Sequence, residues 1–135
     1  MAESTNVLAS LTDREIALGS AKEVVTICIH AGGDGDWARV DAILALLDNV
    51  SAAFGDDREI AQDSAKAARI VSIYAGGERD RAREEAMLAR LDALSAAFGD
   101  DREIALNAAR AAVNITNFAG EDGDWARVEA MLARQ

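Results

Sequence analysis

The chain contains no proline, and it holds one cysteine, one histidine and few aromatic residues. The absence of proline removes the residue that most often breaks a helix. With Cys28 as the only cysteine, an intrachain disulfide and a thiolate metal cluster are both excluded. With His30 as the only histidine, so is a cluster of imidazole ligands. Positive charge is the next shortage: 14 Lys and Arg stand against 24 Asp and Glu, a net charge of −10. A protein that displaces counterions from a duplex needs a basic stripe, so nucleic acid is not expected as a partner, nor is an anionic membrane surface. No apolar run is long enough to cross a bilayer. Met1–Thr12 lacks the charged start and apolar core of a signal peptide, so a cytoplasmic location is the expectation.

What the chain does have is a repeat. SAAFGDDREIA at Ser51–Ala61 returns letter for letter at Ser95–Ala105, an offset of 44 residues. DREIA also stands at Asp13, GDWARV at Gly35 returns at Gly123, and EAMLAR at Glu85 returns at Glu129. A period of 20–50 residues is the mark of a helical or other repeat array. Half the residues are apolar and alanine is abundant, which favours helices in close contact through small side chains.

Within each period two helices are expected. Thr12 with Glu15, Asp56 with Glu59 and Asp100 with Glu103 have capping-box spacing and are read as the starts of the first helices. These helices are expected to run to about Ala31, Ala75 and Ala119, stopped by Gly32, Gly76 and Gly120. Asp36, Asp80 and Asp124 are read as N-caps of the second helices. Val40, Ile43, Leu44, Leu47 and Val50 then form an i, i+3, i+4, i+7 stripe, copied by Met87, Leu88, Leu91, Leu94 and Phe98. Gly55 is read as the residue that ends the first of these second helices. The sequence divides into a lead-in or cap at 1–12, repeats at 13–56 and 57–100, and an incomplete repeat at 101–135. The last repeat stops about nine residues short, through either an abrupt end or a longer parent array.

Asn114-Ile115-Thr116, then Gly123-Asp124-Trp125, Val128 and Leu132, together resemble the tetratricopeptide repeat family in a longer-period form. Cys28, Ser72 and Thr116 fall where that family has a small residue for close helix contact, and Trp37 and Trp125 at its aromatic position after the turn. The departures are the 44-residue period in place of 34, the missing proline, Arg81 at the aromatic position, and Val40 and Val128 in place of alanine. HEAT and armadillo repeats have similar periods and stay open as alternatives. The resemblance implies an all-α fold, a right-handed α-solenoid of three antiparallel helix-turn-helix repeats with the last truncated. It also implies a non-enzymatic scaffold that binds a peptide or protein on the concave face of its first helices.

Candidate contact residues follow from the period. Lys22, Lys66 and Arg110 lie one period apart and are expected to form a basic ladder on neighbouring first helices. One turn on come Thr26, Ile70 and Asn114. Carboxylate-clamp members of the family hold a peptide C-terminus with Lys or Arg and Asn at this spacing, which only Arg110 and Asn114 reproduce here. Val25, Arg69 and Val113, then Ile29, Ile73 and Asn117, are expected to add apolar and amide contacts. The partner-binding set is therefore Lys22, Thr26, Lys66, Arg69, Arg110, Asn114 and Asn117, and the expected partner an acidic peptide or a C-terminal carboxylate. The bland reading of the ladder is charge balance against neighbouring acids.

Other features read as structure. Cys28 shares its column with Ser72 and Thr116, and His30 shares one with Tyr74 and Phe118, which points to packing rather than chemistry. The acidic turns at 34–36 and 121–124 lack the spacing and closing Glu of a calcium loop. No catalytic, cofactor-binding or metal-binding residue is assigned. The alternative function is homo-oligomerisation through repeat ends, with Trp125, Met131 and Leu132 as contact residues and the two tryptophans otherwise read as staples against an adjacent helix.

Overall fold

The computed structural model describes residues 13–134. Among them are six α-helices and no strand: α1 Asp13–Gly33, α2 Trp37–Ala53, α3 Arg58–Gly77, α4 Arg81–Ala97, α5 Arg102–Glu121 and α6 Trp125–Ala133. Helices α1 and α2, α3 and α4, and α5 and α6 pack pairwise as hairpins. No helix among the described residues is long and apolar enough to cross a membrane.

The second helices begin where the sequence places them. The carboxylates of Asp36, Asp80 and Asp124 accept from the backbone N–H of Arg39, Arg83 and Arg127, giving an orphan donor of the first turn a partner. The first helices differ by one residue. Their caps are Asp57 and Asp101, not Asp56 and Asp100: Asp57 accepts from the N–H of Glu59 and Ile60, and Asp101 from that of Ile104. The turn after the second helix uses up the earlier residue, because the N–H groups of Asp57 and Asp101 bond back to the carbonyls of Phe54 and Phe98. Glu59, freed from any box, meets Arg14 at 3.1 Å. Thr12 lies outside the described residues.

The helix stops also differ. Gly32, Gly76 and Gly120 sit inside their helices, and the residues with left-handed backbone are Gly35 (φ 70°), Arg79 (φ 60°) and Gly123 (φ 72°), three positions later. Gly32 and Gly76 are small for a different reason. The Tyr74 ring lies on Gly32 and the Phe118 ring on Gly76, so that an added Cβ would come within 2.5 and 2.4 Å of ring carbons. Arg79 holds a conformation that usually favours glycine. Its guanidinium donates to Asp122 at 2.9 Å and to the Gly76 carbonyl at 2.9 Å, and it lies over Phe118.

Helix α1 packs on α3 and α3 on α5, while the first hairpin makes no contact with the third. Val24, Leu47, Ile60, Val71, Leu91, Ile104 and Ile115 are fully buried. Burial of each such side chain contributes roughly 1.5–3 kcal/mol. The first helices also carry Ala21, Ala65, Ala67, Ala68 and Ala111, small side chains without exposed surface that permit close helix packing. Cys28 and Ser72 lie buried in this packing as expected, and burial pushes the Cys28 thiol up to about 11, which keeps it protonated and inert.

Candidate functional site

Helix α3 is flanked by α1 and α5 and backed by α4, so most of its surface is covered. The residues left partly open along its middle are Gln62, Lys66, Arg69 and Ile73, a single stripe at i, i+4, i+7 and i+11. One period away, the same stripe reads Leu18, Lys22, Val25 and Ile29 on α1 and Leu106, Arg110, Val113 and Asn117 on α5. Ile29, Leu106 and Val113 are exposed and Leu18, Val25 and Ile73 are half-buried. These three stripes form a face on which aliphatic groups alternate with cations, and no position of the three is acidic.

The charges on this face are poorly answered from within. Lys22 reaches the largely buried carboxylate of Asp63 at 3.5 Å. Arg69 donates through Nε to the Asn107 amide oxygen at 2.7 Å, a neutral acceptor, and Asn107 is fixed in turn by its own bond to the Glu103 carbonyl at 3.0 Å. Burial first, and then the nearby charge of Arg110, push the Arg69 pKa below its ordinary value. Lys66 and Arg110 make no hydrogen bond or ion pair among the described residues.

Elsewhere every arginine but Arg102 is matched among the described residues. Arg83 meets Asp41, Arg90 meets Asp48, Arg127 meets Glu84 and Glu85, and Arg134 meets Asp92. Arg14 meets Asp57 and Arg58 meets Asp100 and Asp101. Among the described residues only Lys66, Arg69, Arg102 and Arg110 lack a carboxylate partner. Three of those four lie on this one face.

Of the residues singled out from the sequence, the structure brings Lys22, Lys66, Arg69, Arg110 and Asn117 onto the face. Thr26 and Asn114 belong to the neighbouring column, whose middle member Ile70 is buried. The Thr26 hydroxyl donates to the Lys22 carbonyl at 3.5 Å, and Asn114 is half-buried. The Arg110–Asn114 pair therefore straddles the edge of the open stripe. At the end of the third hairpin Trp125 is 64% exposed and Leu132 58% exposed, but Met131 is only 6% exposed and belongs to the core. Trp37 is the staple anticipated for it: its indole N–H donates to Glu78 and Arg83 lies over its ring at 4.7 Å.

Three polar residues escaped the sequence reading. Asp63 and Asn107 occupy one column with Gly19, and they anchor Lys22 and Arg69. Glu84 shares a column with Val40 and Val128, an acid among apolar counterparts, and that mismatch is its only sequence signal. It is 5% exposed, with Oε1 at 3.3 Å from Arg127 and Oε2 without a hydrogen-bond partner. Burial raises its pKa, against the pull of Arg127 and Arg81. A cavity of about 50 Å³ beside it is lined also by Gly76, Arg79 and Phe118.

No group of His, Cys, Asp and Glu among the described residues has an arrangement that could hold a metal ion. No protein-family model, curated protein or solved structure matches the chain.

Proposed function

We propose that the chain is a non-enzymatic, tetratricopeptide-like α-solenoid that holds an acidic, partly apolar peptide segment across the face of its first helices. The observation that carries this reading is the cluster of cations without carboxylate partners, Lys66, Arg69 and Arg110, set among exposed aliphatic residues in a chain of net charge −10. A carboxylate on the ligand would take paired N–H bonds from Arg110. Lys66 would supply a point charge beside it. Arg69 is already held by Asn107, so less side-chain freedom is lost when it binds. Ile29, Ile73 and Val113 would take apolar side chains between the charged contacts. Three helices at 8–10 Å spacing span about 20 Å, room for roughly six extended residues. A terminal carboxylate is one way to present the acid; the position of Asn114 at the stripe's edge favours an acidic side chain equally.

Fluorescence anisotropy with labelled seven-residue peptides tests the reading. Peptides that alternate Asp or Glu with Leu or Phe are expected to bind, and to weaken as salt rises. Neutral and basic versions are expected not to bind. The Lys66→Glu, Arg110→Glu double variant should lose binding at least about tenfold with its helix content unchanged. Equal binding of acidic and basic peptides would refute the proposal.

A further inference from the structure

The junction between hairpins occurs twice in the structure with the same contacts. A ring lies on a helical glycine: Tyr74 on Gly32, Phe118 on Gly76. An arginine near the start of one first helix meets the cap of the next: Arg14 with Asp57, Arg58 with Asp101. An arginine of one second helix meets a carboxylate of the one before: Arg83 with Asp41, Arg127 with Glu85.

The outer side of the third hairpin carries one half of this junction again. Gly120 has nothing within 4 Å of where its Cβ would stand, and its φ is not positive. Nothing within the described chain calls for glycine there, although glycine in a helix costs about 1 kcal/mol relative to alanine. Among the described residues Arg102 has no carboxylate partner and Glu129 no ion pair. The outer side of the first hairpin carries the other half. His30 is the counterpart of the two rings, Asp13 of the two caps and Arg39 of the two backward-reaching arginines, and all three are exposed. Apolar surface follows the same division. Ile16 is 46% exposed where Ile60 and Ile104 are buried, and Leu132 is exposed where Leu44 and Leu88 are buried.

We infer that the two ends are the halves of one interface, and that a second copy of the chain adds head to tail in the register of the internal repeat. His30 of the added copy then lies on Gly120, Asp13 takes Arg102, and Arg39 takes Glu129. The same arginine stacks on Trp125, as Arg83 does on Trp37. Such a contact is heterologous, so addition continues instead of closing at two. It uses none of the residues proposed to hold peptide.

Sedimentation and light scattering over a hundredfold range of concentration test this on the whole chain. The mass should climb with concentration without a plateau at the dimer. Gly120→Leu places its side chain in open space within one copy, so helix content should hold and the melting temperature of the single chain should not fall, while association weakens at least about tenfold. Arg102→Glu and Asp13→Arg should each weaken association alone and restore it when mixed, because each supplies the partner the other lacks. Lys66→Glu should leave association unchanged. A mass that stays monomeric, a plateau at the dimer, or association indifferent to both Gly120→Leu and Arg102→Glu would overturn the inference.

Discussion

First helices and second helices meet their neighbours by different means. Helices α1, α3 and α5 pack closely on one another, and Ile60, Val71 and Ile104 on them are fully buried. Helices α2, α4 and α6 have no Cα pair within 8 Å of one another, and arginine–carboxylate pairs span the gap. Exposed pairs of that kind contribute roughly 0–1 kcal/mol each. The second helices are therefore rich in charge, yet their arginines are paired. The first helices have fewer charges on their open stripe, yet Lys66 and Arg110 have no partner among the described residues. Mismatch, rather than charge density, therefore sets the open stripe of the first helices apart from the second helices.

The largest effect should come from the first-helix side. Ile60→Ala empties a fully buried site and should cost about 2–5 kcal/mol in urea unfolding. If Arg90→Ala cost as much, the contrast between the two rows of helices would fail.

Glycine offers a finer comparison. Gly76→Ala drives a methyl group into the Phe118 ring and should cost about 1–3 kcal/mol. Gly120→Ala meets nothing and should stabilise the single chain by about 0.5–1 kcal/mol. Thermal melts at a concentration where the chain is monomeric would show opposite shifts. Shifts of one sign would mean the rings do not govern these positions.

Glu84→Val, which restores the residue found one period to either side, should raise stability at pH 7 by about 1–2 kcal/mol. Arg127 keeps Glu85 at 2.7 Å, so no charge is stranded. The native state holds the Glu84 proton more firmly than the unfolded chain does. Its favourable contribution is thus present below the ordinary glutamate value and lost as pH rises through the raised one. The gain from Glu84→Val should accordingly be larger at pH 7 than at pH 4. Asp57 and Asp101 act in the opposite sense. The Arg14 hydrogen bond lowers the first and the Ile104 N–H lowers the second. Their contribution is present above the ordinary aspartate value and fades as pH falls through the lowered ones. Urea titrations of the variant at both pH values measure the difference; equal gains would mean that Glu84 is not held against burial.

The smallest effect belongs to the second helices. Arg90→Ala should cost no more than about 1 kcal/mol, and less in high salt. A salt-independent loss would assign Arg90 to packing through its aliphatic stem rather than to its pair with Asp48.

Much of this architecture can be read from the repeat, because a fixed period converts positions 44 apart into spatial neighbours. That is why Lys22, Lys66 and Arg110 fall on one face, and why Asp36, Asp80 and Asp124 are legible as caps. What could not be read depends on contacts across the junction. Asp56 and Asp57 are equally good caps by composition, and the turn hydrogen bond to Phe54 selects the second. Gly32 and Gly76 look like helix stops until a ring from the next hairpin is seen on them. The column of Thr26 and Asn114 is as polar as its neighbour at two of three positions, and only the burial of Ile70 separates it from the open stripe. Met131 looks uncovered if the length of α6 alone is considered, yet its side chain points into the core.

The first hairpin never touches the third. Deletion or insertion of one 44-residue unit therefore rewrites a single junction and leaves every other contact as it was. For the gene this makes length a cheap variable. The stretches Ser51–Ala61 and Ser95–Ala105 are identical in protein sequence and stand one period apart, so an exchange between the segments that encode them would keep the reading frame. A misaligned exchange there yields an in-frame array one hairpin longer or shorter, with no second mutation needed to repair its interior.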